Sequence, residues 1–329
     1  MRSVQFNLFK KLFAVSAISA GAFFSGPSFS AEPLKIAYSD WPGYVAWQVA
    51  IDKGWFKEAG VDVKFDWFDY GASMEAFAAG KMDAVMVTNG DALVTASGGA
   101  KNVMILALDY SNGNDMIIGK PGIKSLQDLK GKKIGLETGF VEHLMLLNAL
   151  EKAGMKESDV TIVNTKTNET PQALASGDLA AIAAWQPNSG QAMKLVPGAK
   201  PIYTSAKEPG LIYDVITVNP ASLSTHKDEW AKVVKIWGKV VAYVSDPKTQ
   251  PDALKIMSAK VGLTPQAYKP LLKGTKLLSL AEGKAAFVNA PGFKSLYGSS
   301  KIADDFNVKY AVYKTPQDLS KAIDPLFNK

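Results

Sequence analysis

Short apolar runs rich in β-branched and aromatic residues alternate with amphipathic stretches along most of this chain. Residues 34–38, 61–65, 84–87 and 103–108 read as strands, and 44–51, 74–79 and 92–96 between them place apolar residues on one helical face. That alternation predicts βαβ units. The pattern restarts with strands at 115–118, 133–136, 160–163 and 180–184 and helices at 141–153 and 170–175. After a strand at 215–218 it turns helical, over 227–244, 251–260, 265–272 and 316–324. The fold class predicted is α/β, with two lobes of mainly parallel sheet around a cleft.

The sequence has 329 residues, more than one hydrophobic core usually holds. The expected division is a leader over 1–30, a first lobe over 31–112, a second over 113–215, and a return to the first with C-terminal helices over 216–329. The crossings are expected near Asn112 and 215–219. In open sheets of this kind ligands bind outside the carboxyl ends of the strands. Two such faces opposed across a cleft close on a ligand by hinge motion.

Arg2, Lys10 and Lys11 precede an apolar run at 12–24, too short for a stable membrane span, and Ser28-Phe29-Ser30-Ala31 follows. This predicts an export signal cleaved near Ser30 or Ala31 and a periplasmic mature chain. Cleavage removes three basic residues and lowers the formal net charge from +6 to about +3. With that mild charge and no basic block interleaved with aromatics, nucleic acid is not an expected partner. There is no cysteine, which excludes disulfides, thiolate metal sites, a thiol nucleophile and a lipid-modified Cys.

Several segments resemble one family. They are Lys35-Ile36-Ala37-Tyr38, the run from Lys53-Gly54-Trp55-Phe56 through Gly60-Val61-Asp62-Val63, Ala79-Gly80-Lys81-Met82-Asp83-Ala84, Ser125-Leu126-Gln127-Asp128-Leu129-Lys130-Gly131, and Ala175-Ser176-Gly177-Asp178-Leu179. Over roughly 34–260 the chain is similar to the taurine, sulfonate and nitrate binding proteins of ABC importers, a superfamily that also holds thiamine-precursor binders. The resemblance implies the type II periplasmic-binding fold, a small-molecule ligand and an inner-membrane permease as partner. The chain is also similar to a branch associated with urea-carboxylase-like enzymes, which implies guanidine. The matching glycines stop helices and feed strands, so they are scaffold.

The expected cleft loops carry a different signal. They hold Asp40 and Trp41; Trp67 and Asp69; Asn89 and Asp91; Asp109; Glu137, Thr138, Phe140 and Glu142; Trp185; and Tyr213 and Asp214. These fourteen are the candidate ligand-binding residues. The loops contain seven carboxylates and no Lys or Arg on a net basic chain. An anion would be repelled there, whereas a cation would meet carboxylate acceptors and aromatic faces. A flat guanidinium matches a carboxylate in its plane and stacks by its face. Asp40, Asp69 and Asp91 also suit helix N-caps, and Glu142 suits a solvated helix face. Trp47, Trp55, Trp230 and Trp237 are expected in the core.

His143 and His226 are the only histidines, and no catalytic motif or metal-ligand spacing is present. The stretch 109–120 imitates a calcium loop, but Gly113 and Lys120 occupy ligand positions. The chain is therefore expected to be a monomeric, non-enzymatic binding protein with no metal or cofactor. The alternatives are taurine, alkanesulfonate, nitrate or urea binding, a thiamine-pyrimidine-precursor binder or synthase-like enzyme, and a ligand sensor that signals to a receptor.

Overall fold

In a computed structural model that describes residues 32–327, eleven strands form two sheets. In chain order they are β1 (Leu34–Tyr38), β2 (Val63–Trp67), β3 (Ala84–Thr88), β4 (Val103–Ser111), β5 (Asp115–Gly119), β6 (Lys133–Leu136), β7 (Thr161–Asn164), β8 (Ala181–Trp185), β9 (Lys200–Thr204), β10 (Tyr213–Val218) and β11 (Thr275–Leu277). The first sheet has the order β11-β4-β10-β3-β1-β2 and the second β7-β6-β8-β5-β9. Central strands β3, β8 and β10 are buried along their whole length, as expected of strands covered on both faces. The leader expected over 1–30, with its cleavage point at Ser30 or Ala31, lies outside the described residues.

Both sheets are mixed, where mainly parallel ones were expected. β1 runs parallel to β2 and β3, and β6 runs parallel to β7 and β8. β10 runs antiparallel to β3 and β4, and β5 runs antiparallel to β8 and β9. The chain enters each sheet after a crossing on an antiparallel strand, β5 or β10, and β11 is also antiparallel, to β4. It leaves the first sheet between Ser111 and Asp115 and returns between Thr204 and Tyr213, so the return expected at 215–219 falls inside β10. The two crossings touch: the Ser111 and Ser205 hydroxyls lie 2.6 Å apart, and the Gly113 N–H donates to Ser205 Oγ at 2.8 Å.

Burial periodicity explains the longest helix. Lys227–Ser245 buries Trp230, Val233, Val234, Trp237, Val240, Val241 and Val244, the i, i+3, i+4, i+7 stripe of a core-facing helix. Trp47 packs on Trp237 with ring centroids 5.0 Å apart. The edge strand β9 carries Pro201, tolerated only where one side needs no partner. Helix Leu296–Lys309 buries the small residues Gly298, Ser299, Ser300 and Ala303, so it packs closely without an apolar stripe. The helix expected at 316–324 shrinks to Leu319–Ala322.

Candidate functional site

The cleft contains a small, partly open chamber with about 230 Å³ of space, open solvent included, lined by Trp41, Tyr44, Tyr70, Thr88, Asp115, Val141, Trp185, Ile212 and Asp214. Strand register creates it. Asp214 is the second residue of β10 and lies opposite both Asp109 of β4 and Thr88 of β3. Asp115 opens β5 and lies opposite Trp185 of β8. Residues directly opposite in an antiparallel pair share a face, and like charges there are destabilising. The helix that follows β6, Val141–Lys152, supplies Glu142 on its first turn, fully buried.

Each aromatic wall donates its one polar hydrogen to a carboxylate. Trp41 Nε1 donates to Asp109 Oδ1 at 2.9 Å, Tyr44 OH to Asp214 Oδ1, Tyr70 OH to Asp91 Oδ2 at 2.6 Å, and Trp185 Nε1 to Asp40 Oδ1 at 3.0 Å. These bonds fix the rings at the chamber wall. Helix Pro42–Val45 comes close enough to do this because position 43 is glycine. A Cβ there would lie 1.8 Å from Asp109 Oδ2.

Burial dominates the electrostatics. It pushes Asp109 up to about 7, with Asp115 adding repulsion against hydrogen bonds from Trp41 and Asp214. It raises Asp115 to about 6 and Asp91 to about 7. Asp214 and Glu142 rise well above the usual carboxyl range, by burial first and then by the neighbouring charges of Asp109 and Asp115 respectively. Asp109 Oδ2, Asp115 Oδ2, Asp214 Oδ2 and both Glu142 oxygens have no donor from the protein. Asp109 faces Asp214, and Asp115 faces Glu142, at hydrogen-bonding range. A pair of carboxylates can bond only by retaining a proton, so either protons or an outside cation must satisfy them. Among the described residues no ion pair reaches these four acids. The only arginine of the sequence is Arg2, outside the described residues.

The fourteen candidates divide into three groups. Trp41, Asp109, Glu142, Trp185 and Asp214 belong to the chamber or the acid cluster behind its wall, and Asp91 stands behind Tyr70. Asp40, Trp67, Asp69, Glu137 and Phe140 line an open recess outside it, which also holds Lys166. Trp67 is already covered by Lys260, whose Nζ is 4.8 Å from the ring centroid, and Glu137 accepts from Thr167 Oγ1 at 3.1 Å. Asn89, Thr138 and Tyr213 line neither space. The Asn89 amide joins Ser299, Ser300 and the Tyr213 N–H, the Tyr213 hydroxyl donates to the Phe293 carbonyl, and the Thr138 N–H donates to Asn164.

The N-cap and solvated-face readings fail for these acids. Asp69 precedes helix Tyr70–Ala78 but makes no side-chain cap bond. Thr88 caps helix Asn89–Ser97 by accepting from the Asp91 N–H, and Asp40 bonds across the cleft. Tyr44, Tyr70 and Asp115 are wall residues that the loop reading missed. Asp115, an acid opening the apolar run Met116-Ile117-Ile118, is the one whose sequence setting signals it. Among the described residues no acid or histidine cluster has metal-site geometry, and no helix is long and apolar enough to cross a membrane.

A family model described as NMT1/THI5 like matches residues 41–236. The taurine-binding periplasmic protein of Escherichia coli K12 is 26% identical over 287 residues, 83% of each chain. A Brucella abortus (strain 2308) protein, provisionally named a binding protein, is 34% identical over 168 residues, 50% of this chain and 52% of that one. The chain thus spans about half the length of the first curated relatives it matches. Among solved structures, the alkanesulfonate-binding protein SsuA of Xanthomonas axonopodis pv. citri bound to MOPS superimposes with a TM-score of 0.74 at 17% identity, over 90% of this chain and 99% of that one. That likeness shows the periplasmic-binding-protein fold.

Proposed function

The chain belongs to the NMT1/THI5-like family, and we propose that it is the periplasmic solute-binding component of an ABC importer that carries a small guanidinium-type cation. The two sheets are the cores of two lobes, the adjoining crossings are the hinge, and the closed form is presented to an inner-membrane permease. Relatives named for taurine and alkanesulfonate support the transport role.

One observation carries the choice of cargo. Two buried carboxylates with unpartnered oxygens, Asp115 and Asp214, line an aromatic-walled chamber, Asp109 and Glu142 face them from behind, and the described residues that line it include no cation. A guanidinium supplies N–H donors to in-plane acids and a face to Trp41, Tyr44, Tyr70 or Trp185. For a zwitterion such as taurine, the sulfonate would need the N–H groups of Thr138 and Gly139. Those donors are occupied by Asn164 Oδ1 at 2.9 Å and His143 Nδ1 at 3.2 Å.

Calorimetry on the purified protein tests the reading with guanidinium, urea, taurine and nitrate. Guanidinium is expected to bind, and Asp214→Asn or Glu142→Gln to weaken it about tenfold or more, on the order of 1.4 kcal/mol. Uptake of taurine or nitrate with no response to guanidinium would overturn it.

A further inference from the structure

The chamber and the outer recess share two walls, Tyr70 and Trp185. Their rings meet with centroids 4.9 Å apart at 66°, so the contact lies where the two spaces adjoin. Tyr70 opens a helix of the first lobe, and Trp185 ends β8 in the second. Each ring is tied from behind by an acid of the first lobe, Tyr70 to Asp91 and Trp185 to Asp40.

Both acids also take a second donor from the second lobe. Asp40 Oδ2 accepts from Asn188 Nδ2 at 2.8 Å, and Asp91 Oδ2 accepts from the Val141 N–H at 3.2 Å. Asp40 therefore reaches across the cleft with both oxygens. The oxygen of Asp91 that fixes Tyr70 is the same one that holds the first residue of the opposite helix. None of these four donors is available to either acid unless the lobes are together, except Tyr70 to Asp91.

We propose that Tyr70 and Trp185 are the two leaves of a gate over the chamber, and that Asp40 and Asp91 are positioning residues that lock it when the lobes meet. They set how long the ligand stays and do not touch it. The proposal rests on the reading that the chamber is the ligand site. It reassigns Asp40 and Asp91 from ligand contact to gate support, and leaves recognition to Asp109, Asp115, Glu142 and Asp214.

Two measurements on the full mature protein separate this from the cargo reading. In stopped-flow binding of guanidinium chloride, Asp40→Asn raises the dissociation rate about tenfold or more and leaves the association rate within about twofold. Asn188→Ala removes one of the same bonds from the other lobe and shifts the dissociation rate in the same direction by less. A loss that falls on association, or unchanged dissociation in both variants, overturns the gate. In the guanidinium-loaded protein, hydrogen exchange at the Trp185 indole N–H, followed by NMR, is slow in wild type and faster in both variants. Exchange in loaded wild type as fast as in loaded Asp40→Asn overturns the lock. If guanidinium fails to bind wild type, the cargo reading falls, and the same exchange comparison, made with the ligand that the calorimetry panel identifies, decides the gate.

Discussion

Replacing Asp109 with Asn should flatten the fall of stability with rising pH, and the size of the effect follows from the chamber. Burial pushes the Asp109 carboxyl from 3.8 to about 7. Between pH 5 and 7 the folded protein therefore keeps a proton on this group while the unfolded chain has lost it. A raised folded pKa gives stability that is complete below the unfolded value and lost as pH rises through the folded one. The slope is about 1.4 kcal/mol per pH unit at first and halves by pH 7, so the group removes about 2.3 kcal/mol across those two units. Asn keeps an oxygen for the Trp41 N–H and carries no titrating proton, so that loss disappears from the variant. Thermal unfolding at pH 5, 6 and 7 reads the difference as about 5 °C, and heat is the right denaturant because guanidinium chloride is the proposed ligand. The other buried acids titrate in both proteins; Asp214, which Asp109 helps to raise, titrates lower in the variant, and this flattens the fall further. Parallel curves for wild type and variant would refute the reasoning, since they would mean that Asp109 is not held protonated by its surroundings.

The same acids should make guanidinium binding weaken as pH falls from 7 to 5, by up to about tenfold per pH unit for each proton the cation displaces. Calorimetry in two buffers of different ionisation enthalpy would show proton release. Gly43→Ala puts a Cβ 1.8 Å from Asp109 Oδ2, and is expected to lower thermal stability by about 1–3 kcal/mol and to abolish guanidinium binding in calorimetry. Asn89→Ala should cost about 2 kcal/mol of stability, because it leaves the Tyr213 N–H and the Ser300 hydroxyl without the buried partner Asn89 gives them, while Ser299 keeps its bond to the Leu211 carbonyl. Its guanidinium affinity should stay within about threefold of wild type by the same calorimetry, since the side chain only ties helix Leu296–Lys309 to β10.

The parts of the fold legible in the sequence were those governed by local pattern. β1 and β6 have the expected limits, and helix Lys227–Ser245 announces itself by its apolar stripe. β9 and helix Leu296–Lys309 do not, because Pro201 breaks a strand pattern and a face of Gly, Ser and Ala breaks a helical one. Their stability comes from partners distant in the chain. The site divides in the same way. Acids clustered at strand ends could be read without coordinates, and so could the aromatics among them. Which acids converge depends on register: Asp109 meets Asp214 across more than a hundred residues, whereas Asp69 and Glu137, equally acidic in the sequence, face the open recess. Tyr44 and Tyr70 were hidden because a tyrosine on an apolar helix face looks like core until its hydroxyl is traced to a buried carboxylate.

A chamber made to receive a guanidinium would also receive the tip of an arginine. Arg2 is the sole residue of that kind in the sequence, and it lies in the segment expected to be cut away on export. The mature protein would then have no side chain of its own, and no neighbouring copy would have one, with which to plug the cavity. Any guanidino resonance in its NMR spectrum would report the cargo alone.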